Sequence, residues 1–155
     1  IKSELPAEIQ VPIAIQICKK YNIMIKEHNT DYLSEEALKW HPRLGIHAAN
    51  VAPEFGVKET MSFVKALKDA DHNDLLDKFI QISYDSEKWK KWMMKDSKAN
   101  NYDKAIIAGH YIFSSDAFIE IKNEACKRID KLDFILKKAV KESIYRYMKL
   151  FNLVS

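Results

Sequence analysis

The strongest constraint on the fold is an alternation of helical and strand-like segments over the first 68 residues. Apolar residues at steps of four from Ile9 to Tyr21 predict a helix, and the short β-prone run IMIKEHN follows it. Ser34, with two glutamates directly after it, predicts the start of a second short helix. The apolar run RLGIHAAN predicts a second strand, and the helical period returns from Pro53 onward. This order is typical of a parallel sheet whose neighbouring strands are connected by helices.

Two strands alone do not make a stable sheet, and a complete (β/α)8 barrel takes about 250 residues. We therefore interpret residues 1–68 as the last two βα units of a TIM-like barrel, an α/β fold whose earlier strands are absent from this chain. The chain opens at Ile1 without an initiator methionine, which led us to expect part of a longer protein.

Residues 69–155 read as helix throughout. The clearest helical stripe runs from Leu132 to Phe151 and holds for more than five turns. We expect a helical extension packed on the barrel, so that the whole chain is dominated by helix.

Composition limits the classes of partner. Hydrophobic residues make up 47% of the 155 positions and charged residues 30%, which is ordinary for a folded domain. The net charge is only +3, and the basic residues are spread along the chain, which argues against a nucleic-acid partner. No apolar run approaches the roughly 18–20 residues of a membrane span, and no signal-peptide pattern opens the chain. The sequence therefore predicts a cytoplasmic protein without a membrane partner.

Strand alternation predicts that Lys26, His28 and His47 point into the barrel, near the mouth where barrel enzymes hold their sites. Two histidines on adjacent strands could supply two ligands of a divalent metal such as zinc. They could also act as a general base and an electrophile at a sugar carbonyl, with Lys26 stabilising an enediolate oxygen. The remaining alternative is that each histidine is a structural residue satisfied by its polar neighbours.

A second set of polar residues follows the two predicted strands. Glu27, Thr30 and Asp31 lie in the turn after the first strand, where they could bind substrate hydroxyls or where Asp31 could cap the next helix. Asn50 and Glu54 follow the second strand, and either Glu54 or Glu27 is a candidate base. A helix beginning at Pro53 could also hold a phosphate, although the carboxylate of Glu54 at the same helix end disfavours it.

Short motifs resemble a known family, the accessory, non-catalytic subunits of D-tagatose-1,6-bisphosphate aldolase, also called tagatose 6-phosphate kinases. The resemblance covers most of the chain in order. It departs at Asn50–Phe55, where the family has Gly-Pro-Ala-Leu-Thr-Phe, so that His47 and Glu54 have no counterpart in the family. The matching positions are His28, Thr30, Asp31 and Tyr32 in the stretch HNTDY, Phe55, Lys58 and Glu59 in PEFGVKET, and Lys88, Trp89, Lys90 and Lys91 in the helical tail.

The resemblance implies a relative of the zinc-dependent class II sugar-phosphate aldolases, which are lyases of carbohydrate metabolism. Such a subunit would bind a sugar or sugar phosphate, support a catalytic subunit, or do both, and would work in an oligomer. Two other hypotheses remain open. One is an active metal-dependent aldolase or ketose epimerase built on His28 and His47, and the other is a helical interaction domain without a catalytic site.

Overall fold

The computed structural model describes residues 7–155 and is dominated by helix. Two very short strands lie between the first three helices. A short 3-10 turn, Lys90–Trp92, follows α4, and a second, Gly109–Ile112, follows α5. The main elements are α1 (Ala7–Lys20), β1 (Lys26–Glu27), α2 (Glu35–Leu44), β2 (Ala48–Ala49), α3 (Pro53–Asp69), α4 (Asn73–Asp85), α5 (Asn101–Ala108), α6 (Asp116–Arg128) and α7 (Leu132–Leu150).

The predicted TIM-barrel part is wrong. Within residues 7–155 the sheet consists of β1 and β2 alone, each two residues long, whereas a barrel needs eight strands closed on themselves. The two β-prone runs shorten because their ends leave the extended conformation. Asn29 turns left-handed (φ 65°) just after β1, and Gly45 does the same (φ 78°) before β2. The parallel pairing across α2 that the alternation predicts is present, with Lys26 level with Ala48.

Local capping explains the bounds of α2, which begins where the sequence predicted but continues through Arg43 and Leu44, two residues of the predicted second strand. Ser34 is its N-cap, and the Ser34 side chain accepts a hydrogen bond from the Ala37 amide at 3.1 Å. The helix ends at Gly45, whose left-handed conformation costs little without a Cβ atom. Pro53 likewise starts α3, as the sequence predicted.

The chain divides into two compact units. We call residues 1–52 with 145–155 the strand unit, and residues 53–144 the helical unit. The predicted first domain, 1–68, includes residues 1–6, which lie outside the described residues, and its boundary falls inside α3. None of the helices within residues 7–155 combines the length and the apolar character that crossing a membrane requires.

The helical unit has an aromatic core. The rings of Phe63, Phe79 and Phe118 meet edge to face with centroids 5.3–5.8 Å apart, so α3, α4 and α6 share one cluster. Gly109 permits the closest approach in this unit, because a Cβ atom there would lie 2.4 Å from Cγ2 of Thr60. The core of this unit is therefore closely packed.

The strand unit has a smaller core. Leu38, Ile15 and Tyr147 are its buried apolar residues, within the part of the chain that the structure describes. The predicted helix is present as α1, but its apolar stripe faces solvent: Ile17 is 48% and Tyr21 64% exposed. The side chain of Ile9, the first residue of that stripe, lies outside the described ones.

Candidate functional site

Seven of the eight predicted site residues lie on or beside β1 and β2, and the exception is Glu54. The Ile25 carbonyl accepts a hydrogen bond from the His47 amide at 3.0 Å, and the Glu27 carbonyl accepts one from the Asn50 amide at 3.1 Å. The pairing therefore extends beyond the two-residue strands. It brings the segment that contains His28 and Thr30 alongside Asn50.

The structure does not bring His28 and His47 together. His47 lies level with Ile25, before β1 begins, and its Nδ1 accepts a hydrogen bond from the Ile25 amide at 3.3 Å. His28 follows the last residue of β1, three positions further on, which is about 10 Å along a strand. Both side chains are exposed. In residues 7–155 no three His, Cys, Asp or Glu side chains form a group that could hold a metal ion.

Thr30 and Asp31 hold the chain that leaves β2. The Thr30 hydroxyl is fully buried and donates to the Asn50 carbonyl at 2.6 Å, while the Thr30 amide donates to the same oxygen at 3.0 Å. Asp31 Oδ1 accepts from the Ala52 amide at 3.1 Å. The Tyr147 hydroxyl donates to the Thr30 carbonyl at 3.2 Å. These polar groups satisfy main-chain donors and acceptors that would otherwise lack partners at a strand end.

The same turn carries backbone strain. Asn29 and Tyr32, on either side of Thr30 and Asp31, adopt left-handed conformations with φ of 65° and 61°. Asparagine tolerates this region, whereas an aromatic residue there costs on the order of 1 kcal/mol or more. The hydrogen bonds of Thr30 and Asp31 fix the turn in a conformation that Tyr32 would not choose alone.

A buried histidine that the sequence did not single out contacts Glu27. The Nε2 atom of His41 lies 2.6 Å from Oε2 of Glu27, and its Nδ1 atom lies 3.1 Å from the Ala37 carbonyl. Both ring nitrogens thus face acceptor oxygens. His41 comes one helical turn after the fully buried Leu38, so its place on the inner face of α2 is a signal that the sequence contained.

His41 also borders a cavity of about 310 Å³ within the strand unit. The cavity is lined on one side by α2 and β2 and on the other by the end of the chain, where the Phe151 ring lies 5.4 Å from that of His41. His47 contributes to the same lining, whereas Lys26, His28 and Asn50 present exposed side chains outside it.

Glu54 belongs to the helical unit. It lies in the first turn of α3 and is only 5% exposed, at a helix end where a carboxylate is favourable to the helix dipole. The remaining seven predicted site residues belong to the strand unit.

One histidine of the helical unit is electrostatically perturbed. Burial is the main cause that lowers the pKa of His110, and the positive charge of Lys91 lowers it further. The ring packs against Gly56, where an added Cβ atom would lie 2.6 Å from Cγ of His110, and against Tyr111 at 3.9 Å between centroids. The neutral ring fills the space that Gly56 leaves.

The arrangement around β1 and β2 therefore consists of a hydrogen-bonded turn, a buried histidine in contact with a partly exposed carboxylate, and the exposed side chains of Lys26, His28 and Asn50. These polar side chains can form hydrogen bonds and ionic contacts, either with other groups of the chain or with a ligand at the strand ends. Family models, curated proteins and solved structures contain no match to this chain.

Proposed function

We propose that this protein is a non-catalytic subunit that supports a class II aldolase of the tagatose-bisphosphate type by docking on the catalytic subunit through its strand unit. The observation that carries the proposal is the apolar stripe of α1, which lies on the surface. Ile13 and Ile17 on α1 are 45% and 48% exposed, and Tyr21, the residue after the helix, continues the spacing and is 64% exposed. The resemblance of the HNTDY and PEFGVKET stretches to the accessory subunits supplies the identity of the partner.

The energetics of that stripe favour a partner. Full burial of a large apolar side chain contributes about 1.5–3 kcal/mol, so three half-exposed side chains leave several kcal/mol of favourable burial unused. Ile23 and Met24 come three and four residues after the end of α1 and are also exposed. A scattered exposed leucine is ordinary, but an apolar stripe on one helix face with a further apolar pair beside it in sequence is typical of an interaction surface.

The turn of the family motif supports a structural role. The Thr30 hydroxyl donates to the Asn50 carbonyl, and Asp31 Oδ1 accepts from the Ala52 amide, so both side chains bond main-chain groups. A sugar phosphate remains the ligand that the resemblance suggests for the strand ends, where Lys26 and His28 offer exposed donors. Such binding would serve recognition rather than bond cleavage.

A direct test measures binding of the full chain to a purified catalytic subunit of a class II tagatose-bisphosphate aldolase. We expect saturable binding and a rise in the thermal stability of the catalytic subunit. Met24→Glu should weaken binding at least tenfold, because it places a charge on the proposed surface. Met94→Glu is the matched control, since both methionines are 82% exposed but Met94 lies in the helical unit. The proposal fails if the wild type does not bind, or if both variants weaken binding equally.

The second candidate, an active aldolase or epimerase, is favoured by one observation: the contact of Glu27 with His41 at the edge of a cavity. A positioned carboxylate beside a cavity can act as a general base. This candidate predicts that the chain alone cleaves a ketose bisphosphate or epimerises a ketose phosphate in the presence of zinc, and that Glu27→Gln removes the activity. An inactive wild-type chain would leave the accessory function as the better account.

A further inference from the structure

The helical unit contains a larger cavity, of about 740 Å³, that is separate from the strand ends. One wall is α3 from Lys58 to Lys68 and the other is α5 from Tyr102 to Ile107, with Ala139 of α7 completing the lining. We call it the α3–α5 cavity. From Lys58 to Lys68 the wall extends about 15 Å along the helix axis. The volume of the cavity falls within the range of about 300–1,000 Å³ that small-molecule sites occupy.

The middle of the α3–α5 cavity is apolar. Met61 and Val64 line it from α3, and Ile106 and Ile107 line it from α5. Met61 is 50% exposed, so its side chain forms part of an accessible surface rather than of the packed core. An elongated apolar group would remove these side chains from water.

One end of the cavity offers donors to an anion. Lys68 Nζ donates to the Tyr102 hydroxyl oxygen at 2.8 Å and lies 4.4 Å from the centre of the tyrosine ring. Because the oxygen accepts from lysine, the phenolic proton is directed to another acceptor, and the ammonium group retains two further N–H groups. The pair therefore presents three donors with one positive charge.

The acidic residues at this end are compensated by their own neighbours. Asp69 accepts a hydrogen bond from Lys65 Nζ, and Asp103 accepts from the Asn100 amide at 3.1 Å as part of the α5 capping box. Lys65 and Asp69 offset each other, and the helix N-terminus stabilises the Asp103 carboxylate. Lys68 remains as the cation available to a ligand at this end.

We propose that the α3–α5 cavity binds an elongated apolar molecule with an acidic head group, of the class of single-chain carboxylates. The alkyl part lies over Met61, Val64 and Ile106, and the carboxylate accepts hydrogen bonds from Lys68 and Tyr102. All the lining residues of this cavity belong to the helical unit, whereas the surface proposed for the catalytic subunit belongs to the strand unit.

The test titrates the full chain with decanoate, and separately with decanol as the uncharged match, both below the concentration at which they aggregate. Calorimetry gives the affinity, and amide chemical shifts of α3 and α5 give the location. We expect one decanoate per chain, with decanol bound about fivefold more weakly because it lacks the ionic contact. Met61→Glu should reduce decanoate affinity more than tenfold, whereas Ile119→Glu, at a similarly exposed position on α6, should leave it unchanged.

A second substitution tests the contact between the carboxylate head group and Lys68. Lys68→Gln should weaken decanoate about fivefold and leave decanol unaffected, because only the charged head uses the ammonium group. Lys141→Gln, an exposed lysine on α7, is the control. Absence of binding, shifts outside α3 and α5, equal affinity of decanoate and decanol, or equal effects of Met61→Glu and Ile119→Glu would each overturn the proposal. Capture of an acidic helical peptide without decanoate binding would do the same, since it would assign the cavity to a protein partner.

Discussion

At the scale of single residues, short polar side chains near a strand end can form hydrogen bonds with the protein's own main chain as readily as with a ligand. Thr30 and Asp31 were predicted as substrate-binding residues because of their place after a strand. Each has a main-chain partner 20 or more residues away in sequence. The sequence could not identify these partners, because the contacts depend on strands that pair at long range.

Thr30→Val tests this role. The substitution keeps the shape of the side chain but removes the hydroxyl that donates to the Asn50 carbonyl, which should cost about 1 kcal/mol of local stability. The Asn50 amide, bonded to Glu27, should then exchange with solvent deuterium about fivefold faster. Thr30→Ser retains the hydroxyl and should exchange at nearly the wild-type rate. Equal acceleration in both variants would contradict the assigned hydrogen bond.

Gly109→Ala tests close packing in the helical unit. The added methyl group would lie 2.4 Å from Thr60 Cγ2 and 2.9 Å from Phe79 Cζ, so we expect a loss of about 1–3 kcal/mol in urea denaturation. Combining it with Thr60→Ala removes the nearest obstacle. The double variant should lose less stability than the sum of the two single variants. If the stability losses of the two single variants simply added in the double variant, Thr60 would not be the residue with which the added methyl group clashes.

His110 predicts a pH dependence of stability. Burial, with Lys91 nearby, lowers its pKa in the folded protein below the ordinary value of 6.5. The His110 ring therefore binds a proton more tightly in the unfolded chain than in the folded one. Its contribution to stability is complete above pH 6.5 and is lost as the pH falls below that value. The loss levels off once the pH is also below the pKa in the folded protein.

The measurement is urea denaturation at several pH values between 7.5 and 5. His110→Gln should lose less stability than the wild type over this range, because glutamine takes up no proton. His72→Gln, a histidine elsewhere in the helical unit, should retain the wild-type slope. If the stability of His110→Gln depended on pH as steeply as that of the wild type, His110 would not be the source of the pH dependence.

At the scale of elements, helices were predictable and strands were not. The bounds of α2 follow from Ser34 and Gly45, and the start of α3 follows from Pro53, all of which act within one turn of the chain. The left-handed residues Asn29 and Gly45 interrupt the β-prone runs, but these local signals alone do not fix the lengths of the strands. Their length depends on how many neighbouring strands pair with them, and β1 and β2 pair only with each other in the part of the chain that the structure describes.

Ser115→Ala tests local capping at α6. The Ser115 hydroxyl accepts a hydrogen bond from the Phe118 amide and donates to the Ile112 carbonyl. Its removal should destabilise the helical unit by about 1 kcal/mol. Ser114→Ala alters the exposed serine immediately before it and should cost less than about 0.5 kcal/mol in the same denaturation experiment. A larger loss from Ser114→Ala would contradict the assignment of the cap.

At the scale of the whole molecule, the sequence predicted helix dominance and a parallel strand pair, but the barrel was wrong. The helical pattern of residues 69–155 is present in α4 to α7, but residues 86–100, which were also predicted as helix, contain only the 3-10 turn Lys90–Trp92. The barrel required strands that residues 7–155 do not contain. The exposed stripe of α1 could not be foreseen, because an apolar helix face predicts burial without saying whether the covering surface belongs to the same chain.

The central claim is that the strand unit provides the surface that docks on a catalytic aldolase subunit. The most direct measurement is hydrogen–deuterium exchange of the full chain, alone and with the purified catalytic subunit. We predict slower exchange in the second half of α1 and in residues 21–28, and unchanged exchange in α4 to α6. Slower exchange confined to the helical unit, or no change anywhere at saturating partner concentration, would contradict the claim.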